Sequence, residues 1–423
     1  MSPIAWPPDR ATGWLLERGM FGMRPGLDRM RALLAQLGHP QSGLKTIHIV
    51  GTNGKSSTTR FAARLLAERG VATGAYLSPH LIGFEERVLL PSGNGQREAS
   101  AAEFADAVGR VAEAAAVVER GFEEGETTTQ FEAVTAAALL LIAESGAEAA
   151  VIEAGMGGRL DATNVLGVGV VALTPVGLDH MEWLGGDIVT IAGEKLAVVS
   201  EGDTLVVGAD LDPSLSARVE EAAARSGKGV VVAPAELGEG IVPVARGRFQ
   251  RSNLALAVAA VAALLGSDDP EATARTAASV TVPGRLQRVG ADPETILDSA
   301  HNTAGMRTLA EEIEAIAGDR RTVAVLGILA DKDAAGMVDA ILPVVQSVIA
   351  TAPDTPRALA STDLAALVAA SGGVEVEVVD GVREAIERAR LLAGSQGLVI
   401  ASGSVHTVGE ALSGPGGRTV TSL

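Results

Sequence analysis

Lys55 lies in Gly51-Thr52-Asn53-Gly54-Lys55-Ser56-Ser57, directly after the apolar run Leu44 to Val50 and directly before a helical pattern. A strand that ends in a glycine turn and feeds a helix aims backbone N–H groups and the positive helix end at one point, and a lysine there neutralises anionic charge. Phosphate is the ligand that such a turn suits. The match is to a shortened form, G-x-x-G-K-S, because Ile49 stands where the usual P-loop has its first glycine. A glycine turn capped by Ser56 or Ser57 has the same letters. Lysine usage favours phosphate: the lysines are Lys45, Lys55, Lys195, Lys228 and Lys332, in a chain whose basic residues are otherwise arginine.

Further candidates sit at the ends of predicted strands. The run Ala149 to Ile152 delivers Glu153 ahead of the glycine loop Gly155 to Gly158. A carboxylate there either faces solvent or holds Mg²⁺, a hard cation that takes oxygen ligands and shares its shell with phosphate. A strand over Val168 to Leu173 leads to Asp179-His180, and the helix from about Ile188 carries Glu194-Lys195 in an apolar setting. Lys195 either snorkels to water or is buried as the neutral amine, which burial favours. Only the neutral amine can add carbon dioxide to become a carbamate. Three more loops follow strands: Ser78-Pro79-His80, Asp298 to Asn302, and Asp331-Lys332-Asp333. Ligands of open α/β sheets sit at such carboxyl edges. Ser252 and Asn253 open a long helix to about Leu265, as caps or as ligand contacts.

Positioning these residues takes two domains, the better prior for 423 residues. Lys+Arg 34 against Asp+Glu 52 gives net charge -18, which argues against nucleic acid or an anionic membrane as partner. The absence of cysteine excludes disulfides and thiolate-bound metals. Met1 to Arg10 has no apolar signal region and runs such as Ala133 to Ala143 are too short to span a bilayer, so a soluble, cytoplasmic protein is expected. Trp14 to Gly38 reads as a helical lead-in broken by Gly22 and Pro25, Phe84 to Leu90 as a strand before a turn, and Ser100 to Arg120 and Thr129 to Glu144 as alanine-rich helices. Val282 to Arg285 is the linker, and beyond it strands near Thr295 to Leu297, Thr322 to Leu326, Ser347 to Ala350, Val374 to Val379 and Leu398 to Ala401 alternate with helices. The expected fold is α/β: an N-terminal P-loop ATPase domain with a mostly parallel sheet over 1–282, and a smaller Rossmann-like α/β domain over 283–423.

Ten segments in order, LGHP with IHIVGTNGKSS, YLSPHL with FEERV, TQFEAVTAAAL, VIEAGMGGRLDATN, GLDHMEWLG, IAGEKLAV, PGRLQ, LDSAHN, LGILADKD and SGSVHTVGE, resemble the Mur ligase superfamily. Within it the chain resembles the bifunctional folylpolyglutamate synthase/dihydrofolate synthase family, over about Gly26 to Gly409. The resemblance implies that Gly51, Thr52, Asn53, Gly54, Lys55, Ser56 and Ser57 cradle the ATP phosphates, that Ser78 and Glu153 bind one Mg²⁺, and that His180 joins a second with Lys195, the lysine carboxylated in related enzymes. It implies nucleotide contacts at Asn253, Arg285 and Asp298, and places His301 and Ser404 where the incoming glutamate is expected. The implied activity is ATP-dependent ligation of L-glutamate to dihydropteroate or a reduced folate through an acyl phosphate, by a protein expected to be a monomer. Lys55, His180, Lys195 and His301 would carry the catalysis, and closure about Val282 to Arg285 would bring amine and acyl phosphate together.

Three positions depart from the family pattern: Ser56 replaces glycine, Glu194-Lys195-Leu196-Ala197-Val198 replaces EKAGI, and His406 replaces tyrosine. A ligase of this fold acting on another carboxylate, or a nucleotide-binding regulator without turnover, remains an alternative.

Overall fold

The computed structural model describes residues 6–18, 26–123, 126–235, 237–238 and 240–413. The expected helix break at Gly22 and Pro25 lies outside them. The chain divides into two units, one running to Val244 and including Gln250–Val280, the other built from Ala245–Phe249 and the chain from Thr281 on.

The first unit is built on an eight-stranded sheet. Its strands are β1 (Lys45–Val50), β2 (Thr73–Tyr76), β3 (Val88–Ser92), β4 (Gly95–Glu98), β5 (Ala149–Glu153), β6 (Val170–Leu173), β7 (Thr204–Val207) and β8 (Val230–Val232), in the order β4-β3-β2-β5-β1-β6-β7-β8. From β2 to β8 all neighbours are parallel, and β3 and β4 form an antiparallel hairpin at one edge. Every residue of β1 after Lys45 is buried, as expected for a central parallel strand covered on both faces. Helix Lys55–Glu68 packs on β1, β2 and β5, and helix Gln130–Glu144 on β2 and β3. The parallel arrangement brings the loops after β1, β2, β5 and β6, four adjacent strands, to one carboxyl edge.

Capping fixes where the alanine-rich helices begin. Ser100 and Thr129 each accept from the backbone three residues on, while Glu103 and Glu132 reach back to the cap amides. Glu132 also pairs with the buried Arg29 at 3.2 Å. Two local expectations are corrected. Phe84–Arg87 is a 3-10 turn and the strand starts at Val88, because the Glu86 carboxylate accepts from the Leu81, Ile82 and Gly83 amides and folds the chain tightly. The long helix starts at Phe249, so Ser252 and Asn253 lie inside it and neither is its cap.

The second unit holds β9 (Gln287–Ala291), β10 (Glu294–Leu297), β11 (Thr322–Leu326), β12 (Ser347–Ala350), β13 (Glu375–Val378) and β14 (Leu398–Ser402), in the order β13-β12-β11-β14-β10-β9. All pairs are parallel except β9 with β10. β9 is an edge strand with no apolar run of its own, which is why its sequence does not announce it. The core of this unit joins Ile296, Ala324, Leu326, Val348 and Ile400 to Met306 and Ile313 of helix Thr303–Ala317 and Val338 of helix Ala334–Ile341. Among the described residues no helix is long and apolar enough to cross a membrane.

Thr129→Ala removes the cap hydroxyl of a buried helix, and the expected loss is about 1 kcal/mol of stability. It reads as a lower unfolding midpoint in a thermal melt, with nucleotide affinity unchanged.

Candidate active site

At the carboxyl edge of the first sheet, Glu153 is 1% exposed. Its Oε1 accepts from Ser56 Oγ at 2.9 Å and its Oε2 from the Ser78 amide at 3.1 Å. One carboxylate thereby joins the loops after β1, β2 and β5. In the phosphate turn, a Cβ at Gly51 would lie 1.9 Å from Thr174 Oγ1, and one at Gly54 would lie 2.4 Å from Asn253 Oδ1. Both glycines also have φ in the left-handed range, at 145° and 86°. Asn253, far from the phosphate turn in sequence, is thus beside Gly54 in space, its Nδ2 donating to Gln250 Oε1 at 3.0 Å.

The amides of Thr52 and Asn53 donate to Pro175 O at 2.9 and 3.2 Å. The Thr52 hydroxyl is also engaged, with Gly177. The amides of Lys55, Ser56 and Ser57, in the first helical turn, have no intrahelical acceptor and are the donors left for a phosphate. Lys55 Nζ donates to Thr52 O at 3.0 Å.

Lys195 is 4% exposed. Burial lowers its amine from 10.5 to about 7; Lys55 lowers it further, while Asp179 and Asp161 act in the opposite sense. The glycine loop lies directly against it, since a Cβ at Gly158 would be 2.6 Å from Lys195 O and 2.7 Å from Glu194 O. Asp161, raised by burial, accepts from Met156 N at 2.8 Å and Thr163 N at 2.9 Å and so holds that loop closed. The Thr163 hydroxyl bonds both Asp161 and His48 Nε2, tying the loop to β1. His180 is exposed and has φ 51°, a left-handed conformation uncommon outside glycine.

In the second unit, Asp298 and His301 follow β10. Asp298 Oδ2 accepts from Leu286 N at 3.0 Å and Oδ1 from Ala300 N at 2.9 Å, with Arg285 Nη1 3.9 Å away. Burial pushes its carboxyl up, and Arg285 opposes this. Because Leu286 has φ 43°, Asp298 fixes an unfavourable turn and with it the position of Arg285. His301 Nδ1 bonds Ser299 O at 2.9 Å. The Ser404 hydroxyl is fully buried and caps helix Val405–Leu412, accepting from Thr407 N at 3.1 Å. His406, where the sequence departs from tyrosine, is buried with Nε2 unpartnered; burial first, then Arg357, lower it to about 4.

Residues 49–233 match the Mur ligase middle domain and residues 284–405 the Mur ligase, glutamate ligase domain. The dihydrofolate synthase/folylpolyglutamate synthase of Mycobacterium tuberculosis is 32% identical, over 92% of this chain and 89% of the relative. The chain belongs to the dihydrofolate synthase/folylpolyglutamate synthase family. A probable bifunctional folylpolyglutamate synthase/dihydropteroate synthase of Halobacterium salinarum is 35% identical over 95% of this chain, which spans 51% of that longer protein. Among solved structures, M. tuberculosis folylpolyglutamate synthase complexed with ADP matches with TM-score 0.88 and 31% identity, covering 96% of this chain and 97% of that one. A bifunctional folylpolyglutamate synthase/dihydrofolate synthase with Mn, AMPPNP and L-glutamate bound matches with TM-score 0.80 and 29% identity, covering 95% and 97%.

The donors at the first edge fit a magnesium nucleotide. Mg²⁺ takes one or two carboxylates and fills its shell with water and phosphate oxygens. Glu153 and the serine hydroxyl beside it are hard oxygen donors of that kind. Sequence reasoning about this synthase family member passed over Asp161, Thr163, His48 and Gln250. Their signal is geometric: each is buried and acts by holding another residue.

Gly158→Ala forces the loop off Lys195. The expected result is a loss of turnover of 100-fold or more, on the order of the 1 Å misplacement effect, while ADP affinity, measured by calorimetry, stays within about threefold.

Proposed function

We infer that this protein uses ATP to join L-glutamate to the carboxyl group of dihydropteroate or of a reduced folate, releasing ADP and phosphate. The observation that carries the reading is the clasp of Glu153 by Ser56 and Ser78 beside the phosphate turn, at the same edge as the buried Lys195, in a chain of this family. A carboxylate is a poor acyl donor. Transfer of the γ-phosphoryl group to it gives an acyl phosphate, which the glutamate amine attacks to form the amide and expel phosphate.

In the first unit, the first-turn amides and Lys55 hold the phosphates, and Lys55 meets the charge that builds on the transferred group. Mg²⁺, when bound, supplies further neutralisation of that charge, with Glu153 and Ser78 as ligands and His180 and Lys195 as the residues offered to a second ion. Ser56 orients the Glu153 carboxylate, and its own hydroxyl is within reach of the same cation. In the second unit, Asp298 sets Arg285 for the nucleotide. His301 is the residue this reading assigns to the glutamate, and Ser404 contributes by capping helix Val405–Leu412 rather than by offering a hydroxyl.

Phosphate release should require Mg²⁺, glutamate and a pteroyl carboxylate together, with the amide seen by mass. Turnover with dihydropteroate, tetrahydrofolate or both fixes the substrate range. ATP binding without glutamate-dependent turnover on either would overturn the reading and leave a regulator, and turnover only with another carboxylate would leave a Mur-type ligase.

Lys195 adds a pH dependence. Below about 7 its amine is an ammonium and cannot react; above it the neutral amine adds carbon dioxide, forming the N–C bond and losing one proton. Bicarbonate-dependent activity therefore rises as pH passes upward through about 7, and Lys195→Arg, charged at every accessible pH, abolishes it. Mass spectrometry or a ¹³C-bicarbonate NMR signal reads the carbamate directly. Between about 7 and 10.5 the unfolded chain keeps a proton that the folded one has lost, so the cost of burying this lysine diminishes as pH rises through that window.

A further inference from the structure

Arg87 is 2% exposed, one of the largest fully buried side chains in the molecule. It stands at the active edge of the first sheet. Tyr76, the last residue of β2, pairs with Val88, and the Leu77 amide donates to Arg87 O at 2.8 Å. Ser78, whose amide holds Glu153, is the next residue. The Arg87 guanidinium donates through Nε to His80 Nδ1 at 2.8 Å and reaches the Tyr76 phenol, which Thr135 also bonds. Neither partner is a carboxylate, and Nη2 is buried with no hydrogen-bond partner among the described residues.

Other deeply placed arginines are matched by anions. Arg29 bonds Glu132 at 3.2 Å, and Arg60 faces the carboxylates of Glu98, Glu153 and Glu86. Arg87 forms no ion pair among the described residues. A buried guanidinium without an anion is costly, because its desolvation is not offset. Its fork of N–H donors suits two oxygens of a carboxylate or phosphate. In a chain of net charge -18, keeping such a cation without an ion pair among the described residues, next to the turn that carries Ser78, needs a reason.

We propose that Arg87 is the residue that receives the carboxylate of the acyl substrate, holding it beside Ser78 and Glu153 for phosphorylation. This rests on the functional reading above and names a recognition group for it. The phosphate turn and its first-turn amides take the nucleotide and the reading above gives glutamate to the β10 edge with His301, so the donor just before β3 is left for the carboxylate of the acyl substrate. Charge-assisted recognition predicts that the site distinguishes a carboxylate from a neutral group of the same shape.

The test measures, by calorimetry on the ADP- and Mg²⁺-loaded protein, the affinities of dihydropteroate and of its carboxamide. The unsubstituted protein should prefer the carboxylate by roughly tenfold to hundredfold. In Arg87→Met the ratio should fall to about one, with ADP affinity unchanged. Arg87→Gln, which retains a donor for His80 without the charge, should do the same and stands in if the methionine variant fails to bind ADP. A ratio that survives in either variant overturns the assignment, as does loss of ADP binding in both, which would make Arg87 a residue of the fold alone. If the unsubstituted protein turns over pteroyl substrates and only the ratio fails to respond, the Arg87 assignment falls by itself. If it neither binds nor turns them over, the functional reading falls and this assignment with it.

Discussion

Glu153 is a carboxylate with almost no access to water, and burying such a charge costs several kcal/mol unless every lone pair is served. Its partners come from two other loops: a hydroxyl from the first turn of the helix after β1, and an amide from the turn after β2. The field of Arg60, one helical turn beyond Ser56, lies over the same group. This one satisfied charge sets the spacing between the phosphate turn and the Ser78 turn. It exists because β2, β5 and β1 are adjacent and parallel, so that their ends arrive at the same level.

Around that point the unit spends stability on function. Lys195 is buried where its charged form is unfavourable, His180 is held in a left-handed backbone conformation, and Arg87 has no counter-ion among the described residues. Compensation comes from groups that do no chemistry. Asp161 closes the glycine loop through backbone amides, Thr163 links it to His48 of β1, and the loop then lies against the Lys195 backbone at a distance only glycine permits. These are positioning devices, and they explain why a loop rich in glycine is ordered rather than loose.

The second unit uses the same logic with fewer parts. Asp298 gives both oxygens to backbone amides, one of them at a residue with positive φ, and so fixes the turn that carries Arg285. A carboxylate read from its motif as a ligand contact has its first task inside the protein. Ser404 is similar: a fully buried helix cap at the end of β14, next to the β10 edge that bears His301.

The amino-acid sequence by itself determined the alternation of strands and helices, the carboxyl edges on which Lys55, Ser78, Glu153, His180, Asp298 and His301 fall, and the family. Those follow from local pattern: apolar runs ended by glycine, and motif letters in fixed order. It misread Phe84–Arg87 as strand, because three amides converging on Glu86 are a local hydrogen-bond choice that β propensity does not record. It missed β9, an exposed edge strand held by pairing rather than by apolar content. Only the tertiary structure decided that Asn253 stands at Gly54, that Thr52 and Asn53 give their amides to Pro175, that Glu153 binds Ser56, and that Arg87 is buried without an anion among the described residues. Each of these depends on contacts between residues far apart in the chain, and burial, which sets the cost of an unpaired charge, is a property of the packed fold and not of any segment.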